Sequence, residues 1–265
     1  MIDTPFSFNT GETAVLVSMP HSGLRLTSEV QSGLTDKALI LPDTDWYIPE
    51  LYSFLAELGV GHISANYSRY VIDLNRPLDD KPLYTSKTTG LFPAMLFDAS
   101  PVFKPGRSPS EHHQQYCKEK LWQPYHDKIA QELNRLQDQF GYAILFDAHS
   151  IAAQVPMLFE GRLADFNFGN NNGAASSQAL LEAVSGAVPQ DIFSSVTNGR
   201  FKGGYITRSF GKPEQNIHAI QLELSQATYL KDSSNSYQID SNKLASLQAV
   251  LKQVIKTLIS RGLGE

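Results

Sequence analysis

The residues best suited to chemistry in this chain stand at the ends of apolar runs. Asp147-Ala148-His149-Ser150 closes Tyr142-Ala143-Ile144-Leu145-Phe146, and Pro20-His21-Ser22-Gly23 follows Ala14-Val15-Leu16-Val17-Ser18-Met19. Glu223 ends a third run, Ile217-His218-Ala219-Ile220-Gln221-Leu222. Runs of this kind read as buried strands. Burying a carboxylate or an imidazole unpaired is costly, so these groups belong at exposed strand ends or on a ligand. Two imidazoles and a glutamate on three strand tips suit two metal ligands and a general base.

A catalytic zinc takes three protein ligands and keeps one position for water. His21 and His149 supply two, and Asp43-Thr44-Asp45 offers the third from the start of a helix. Either aspartate is equally suited to capping that helix. Each histidine taken alone reads as a hydrogen-bonded loop residue. Their common placement, each before a serine, favours a metal site, although the spacing is not the compact His-Glu-x-x-His kind. His112 and His113 are helix neighbours about 100° apart, so they do not chelate together. His62, His126 and His218 read as structural.

Four arginines suit anionic groups, because a planar guanidinium makes two parallel hydrogen bonds to a carboxylate. Arg69 and Arg76 bracket Tyr70-Val71-Ile72-Asp73-Leu74, with Asn75 beside Arg76. Arg200 and Arg208 flank Phe201-Lys202-Gly203-Gly204-Tyr205-Ile206-Thr207, whose glycine pair lets backbone approach a ligand closely. In an acidic protein this pattern reads as a local cationic pocket. The alternative for each arginine is a solvated loop position or a partner for Asp73, Asp79 or Asp80.

The elements that must position these groups follow from periodicity. Strands are expected at 13–19, 60–65, 69–74, 142–147, 156–159, 204–208 and 217–224. A helix is expected over 45–58, through Trp46, Leu51, Phe54, Leu55 and Leu58, with Gly59 placed to end it. A second runs over 110–140, capped by Ser110, with Tyr116, Leu121, Tyr125, Ile129, Leu133, Leu136 and Phe140 as its stripe. Gly141 ends it, and Pro124 kinks or splits it. A third amphipathic helix covers 241–261. Helices alternating with strands predict an α/β fold: one mixed central sheet flanked by helices on both faces, in a single catalytic domain over 1–265. Ligands then bind beyond the carboxyl ends of the strands, where His21, His149 and Glu223 fall. The Pro-, Gly-, Asn- and Asp-rich segments 76–109 and 160–175 read as functional loops.

Composition narrows the classes. The 265 residues carry a net charge of −5, so no global field draws nucleic acid or an anionic membrane. Cys117 is the only cysteine, which excludes an intrachain disulfide and points to a reducing cytoplasm. The N-terminus lacks the pattern of a secretory signal, and no apolar run approaches the roughly 20 residues of a membrane span.

At these motifs the chain resembles the N-formylglutamate amidohydrolase family. The matching blocks are Pro20–Gly23, Asp43–Trp46, Ser68–Arg76, Asp147–Ser150, Phe159–Arg162, Asn198–Arg208 and Gln221–Gln226, covering roughly residues 14–230. The resemblance implies hydrolysis of N-formyl-L-glutamate to formate and L-glutamate, the last step of one histidine-degradation route. More distantly, the layout is similar to zinc carboxypeptidases, implying a zinc-exopeptidase-like (phosphorylase/hydrolase-like) fold. Those peptidases place a glutamate three residues after the first histidine, where this chain has Leu24. The carboxylate ligand therefore comes from elsewhere, and Asp45 is preferred over Asp43.

The expected site follows: zinc on His21, Asp45 and His149, with Glu223 as proton shuttle. Cobalt, manganese and iron also suit nitrogen and oxygen ligands. Arg69 and Arg76, then Arg200 and Arg208, are expected against the two substrate carboxylates, with Asn75 and Tyr205 adding hydrogen bonds. Asp147 either orients a ligand from outside or caps its strand. The rival readings are another zinc-dependent N-acyl-amino-acid deacylase, or a non-catalytic binder of acidic amino acids. A serine hydrolase is disfavoured by the lack of a Gly-x-Ser-x-Gly elbow.

Overall fold

Three of the apolar runs are buried almost end to end, which requires cover on both faces of the sheet that they form. The computed structural model describes residues 2–82, 89–231 and 237–261. Its strands are β1 (Phe6–Asn9), β2 (Val15–Met19), β3 (Gly61–Ala65), β4 (Ala143–Ile151), β5 (Phe166–Gly169), β6 (Ser195–Thr197) and β7 (Ile217–Ser225). They form one sheet in the order β1-β3-β2-β4-β7-β5-β6. The centre, β3-β2-β4-β7, is parallel. β1 and β5 run antiparallel to their neighbours β3 and β7.

The helices are α1 (Ser28–Gly33), α2 (Asp36–Leu39), α3 (Ile48–Leu51), α4 (Glu111–Cys117), α5 (Gln123–Phe140), α6 (Gln178–Gly186), α7 (Tyr205–Phe210) and α8 (Ser241–Arg261). Alternation along the strands divides the core. Leu16 and Leu145 face Val30 of α1, Tyr125, Ile129 and Leu133 of α5 and Ile206 of α7. Val15, Val17, Ile144 and Phe146 face Ile48 and Leu51 of α3, Leu181 and Val184 of α6 and Leu251, Val254 and Leu258 of α8. Each such side chain, fully buried, contributes roughly 1.5–3 kcal/mol relative to exposure. Among the described residues no helix is long and apolar enough to cross a membrane.

Several local expectations are corrected. Residues 69–74 form turns, although Tyr70, Val71, Ile72 and Leu74 are buried. Residues 156–159 also form turns, and 204–208 begin helix α7. Short apolar runs do not by themselves distinguish a strand from a buried turn or helix. The segment 160–175 contains strand β5, paired to the edge of β7. The expected helix over 45–58 breaks: α3 follows Tyr47, whose φ is 58°, and 3₁₀ turns over Ser53–Leu58 end at Gly59. In 110–140 a π-helical turn, Lys118–Trp122, joins α4 to α5 just before Pro124. Residues 83–88 of the expected 76–109 loop lie outside the described residues.

Candidate active site

The parallel register brings the carboxyl ends of β2, β4 and β7 to one edge. His149 of β4 pairs directly with Glu223 of β7, and Asp147 pairs with Gln221 two residues earlier. Residues two apart share a face, so these four side chains line one side of the sheet. His21 follows β2 by two residues. Asp45 comes from the turn between α2 and α3, where its backbone N–H donates to the His21 carbonyl at 3.1 Å. That bond ties the aspartate-bearing turn to the first histidine.

Asp45 Oδ2 lies 2.9 Å from His149 Nδ1 and 3.7 Å from His21 Nδ1. One ligand atom from each of His21, Asp45 and His149 falls within 4.8 Å of the other two. Ligands about 2 Å from one zinc stand roughly 3–4 Å apart, so this spacing, slightly wider, is that of a group able to hold a metal ion. All three are buried, and their nitrogen and oxygen donors suit a divalent transition metal. Asp43 does not join them. Its carboxylate accepts the Phe97 N–H at 3.2 Å, and burial pushes it up to about 6 against the pull of Arg69.

The outer nitrogens of both rings meet further groups. His21 Nε2 is 2.7 Å from Asp73 Oδ1, and Asp73 also accepts from Arg69 NH2 at 2.7 Å and the Asn75 N–H at 2.9 Å. His149 Nε2 is 3.0 Å from Asn75 Nδ2 and 3.1 Å from Asp147 Oδ2. Asp147 Oδ1 in turn accepts from Ser18 Oγ of β2 at 3.0 Å. Burial alone pulls the His149 imidazole down, yet Asp147 and Asp45 outweigh it and hold the ring well above the ordinary histidine value. Burial likewise opposes ionisation of Asp73, but the charges of His21 and Arg69 keep it well below the usual carboxylate range.

Glu223 faces the same pocket. Burial is the main cause pushing it up to about 8; Asp45 and Asp147 add to the rise, and His149 and Arg69 oppose it. Gln221 Nε2 donates to Glu223 Oε2 at 3.3 Å. The Gln221 amide is oriented by its Oε1, which accepts the Gly204 N–H at 2.7 Å.

The pocket wall includes Arg69, Asn75, Arg76 and Arg200 beside His21, Asp45, His149 and Glu223. The Arg69 guanidinium lies 4.9 Å from the Phe97 ring centroid. Arg76 Nε donates to the Thr89 carbonyl at 2.7 Å, and Arg200 Nε to the Leu158 carbonyl at 2.6 Å. Asn75 Oδ1 accepts the Ile206 N–H at 2.8 Å. Tyr205 and Arg208 do not line this pocket. Tyr205 packs against Trp122, with ring centroids 5.7 Å apart, and Arg208 Nε donates to the Gly203 carbonyl at 2.8 Å. Both residues lie on helix α7, at whose start the Gly204 and Ile206 N–H groups donate to the side chains of Gln221 and Asn75 in the pocket wall. Gly204 permits that close approach: a Cβ there would come within 2.3 Å of Asn75 Nδ2.

Asp73, Phe97 and Gln221 were not among the expected site residues. Gln221 had a signal, since it lies two positions before Glu223 on a strand. Asp73 was expected only as a possible partner for an arginine, which it is for Arg69; its contact with His21 had no signal, because its neighbours read as a strand interior.

The sequence pattern of N-formylglutamate amidohydrolases matches residues 13–230. The chain is 48% identical over 262 residues to an N-formylglutamate deformylase of Pseudomonas putida, covering 98% of both chains. It is 49% identical over 264 residues to one of Pseudomonas aeruginosa, again covering 98% of both. Among solved structures it is similar to an N-formylglutamate amidohydrolase from Ralstonia eutropha JMP134. That match has a TM-score of 0.83 at 20% identity and covers 98% of this chain and 100% of the other.

Proposed function

The chain belongs to the N-formylglutamate amidohydrolase family, and on that premise we propose that it hydrolyses N-formyl-L-glutamate to formate and L-glutamate, with a divalent metal held by His21, Asp45 and His149. The observation that carries the metal reading is the convergence of three buried ligand atoms within 4.8 Å of one another. Zinc is the ion proposed, since two imidazoles and one carboxylate are a familiar catalytic zinc set. Bound there, the ion supplies a Lewis acid that polarises the formyl carbonyl, acidifies water and favours the ionised form of Glu223.

Glu223 takes a proton from the attacking water on a carboxylate oxygen and returns it to the departing nitrogen, so that formate and a free amine leave. Its position opposite His149 in the ladder supports this role. The Gln221 amide holds the carboxylate in place. Arg69, already paired with Asp73, lends positive charge beside the reacting carbonyl. Arg76 and Arg200 clamp the two substrate carboxylates, and Asn75 holds the intervening chain. Tyr205 and Arg208, which are not part of the pocket wall, are given no substrate contact in this reading. The substrate's origin in histidine degradation and a cytoplasmic setting are part of the same reading.

The test is formate and glutamate release from N-formyl-L-glutamate by purified protein, before and after chelation and after zinc is returned. Loss on chelation with recovery on reconstitution is expected. Full activity in metal-free protein would overturn the reading.

A further inference from the structure

The turn Lys118–Trp122 is π-helical, a rare winding that gathers at functional sites. Trp122, at its end, is buried. The indole Nε1–H donates to the Arg76 carbonyl at 2.8 Å. A buried tryptophan N–H needs a partner, and here the partner is the main chain of a residue whose side chain lines the pocket. The indole stacks on His126, with ring centroids 3.7 Å apart and planes 18° apart, and it also packs against Tyr205. His126 Nδ1 lies 2.8 Å from the Trp122 carbonyl, which ties the pair together.

Arg76 is therefore fixed at both ends. Its carbonyl is held by Trp122, and its guanidinium by the Thr89 carbonyl at 2.7 Å and the Asn75 carbonyl at 3.1 Å. Tyr205, the other residue resting on the indole, opens α7, and its neighbours Gly204 and Ile206 donate their N–H groups to Gln221 and Asn75. Trp122 thus lies behind two walls of the pocket while lining neither. Holding a long side chain ready reduces the freedom lost when an anion binds.

We propose that Trp122 is a positioning residue that sets Arg76 for one substrate carboxylate, acting through its indole N–H on the Arg76 carbonyl. This role presupposes that Arg76 clamps a carboxylate. Trp122→Phe keeps an aromatic ring against His126 and Tyr205 and removes the donor. The zinc-loaded variant is compared with wild type and Arg76→Ala on N-formyl-L-glutamate and on two analogues. N-formyl-L-glutamine lacks the side-chain carboxylate, and N-formyl-4-aminobutyrate lacks the α-carboxylate.

Trp122→Phe is expected to raise KM for N-formyl-L-glutamate about fivefold, the net worth of one hydrogen bond, with kcat within about twofold and metal content unchanged. It should also weaken discrimination against the same analogue that Arg76→Ala ceases to reject. If Arg76→Ala discriminates as wild type does, Arg76 is no clamp and the premise itself falls. If Arg76→Ala loses discrimination while Trp122→Phe keeps it, or loses kcat equally on all three substrates, the indole is only a packing element and the proposal is overturned. Should Trp122→Phe fail to fold, 3-benzothienylalanine at position 122 keeps the bicyclic shape, loses only the N–H, and reads the same contrast.

Discussion

Asp73 Oδ1 stands 2.7 Å from His21 Nε2, and this contact leaves Nδ1 as the ring nitrogen turned toward Asp45. The carboxylate is itself locked by Arg69 and by the Asn75 N–H. The orientation of the first proposed ligand is therefore set by a segment fifty residues away in sequence, the same one that carries Asn75 and Arg76 into the pocket.

Asp73→Asn should weaken zinc binding about 10- to 100-fold, the usual loss when the group orienting a ligand histidine is removed. It also leaves the buried Arg69 without its closest counter-charge, so stability should fall by about 3 kcal/mol. Competition with a chromophoric chelator and urea unfolding measure the two effects. Wild-type zinc affinity in this variant would contradict the role given to Asp73.

Glu223→Gln should retain a full equivalent of zinc and lose about 10²- to 10⁴-fold in kcat, as expected when a proton shuttle is removed. The amide keeps the shape of the carboxylate and can still meet Gln221. Turnover within a few-fold of wild type would remove Glu223 from the mechanism.

Substrate preference should follow buried charge. An arginine left without its carboxylate is an unpaired cation, and sites of this kind reject the lacking analogue strongly. N-formyl-L-glutamine should be cleaved at least about 100-fold less efficiently than N-formyl-L-glutamate by kcat/KM. Equal efficiencies would mean that Arg76 and Arg200 do not divide the two carboxylates between them.

Acid should destabilise the protein partly through His126. Burial pulls its imidazole down to about 4, whereas the unfolded chain binds a proton near 6.5. The penalty is absent above the unfolded value, grows as pH falls from about 6.5 toward 4, and levels off below. Between pH 7.5 and 4.5 it amounts to about 2–3 kcal/mol. Urea unfolding of wild type and His126→Phe at the two pH values isolates the effect, and identical pH dependence in both proteins would contradict it.

Much of this architecture is written in local patterns. The runs that became β2, β4 and β7 are apolar throughout because both sheet faces are covered, and their parallel pairing gathers His21, His149 and Glu223 at one edge. The preference for Asp45 over Asp43 had little local signal behind it, because two acidic residues in one turn look alike. The difference lies in a tertiary bond from the Asp45 N–H to the His21 carbonyl. The Arg69–Leu74 segment read as a strand because Tyr70, Val71, Ile72 and Leu74 are apolar, yet its backbone turns around the Asp73 carboxylate. β5 exists because the edge of β7 is there to pair with, as Phe166 against Leu224 and Asn167 against Glu223, a partnership invisible in a Gly- and Asn-rich stretch. Tyr205 and Arg208 were expected beside substrate because they flank or follow the Gly203-Gly204 pair; both lie on helix α7, where Tyr205 packs on Trp122 and Arg208 bonds the Gly203 carbonyl.

The most direct test is the zinc stoichiometry of the purified protein by elemental mass spectrometry, with His149→Ala and Asp43→Asn in parallel. About one equivalent in wild type and Asp43→Asn, with essentially none in His149→Ala, is the predicted result. A full equivalent of zinc retained by His149→Ala, or a wild type that takes up none when zinc is supplied, would contradict a metal centre built from His21, Asp45 and His149.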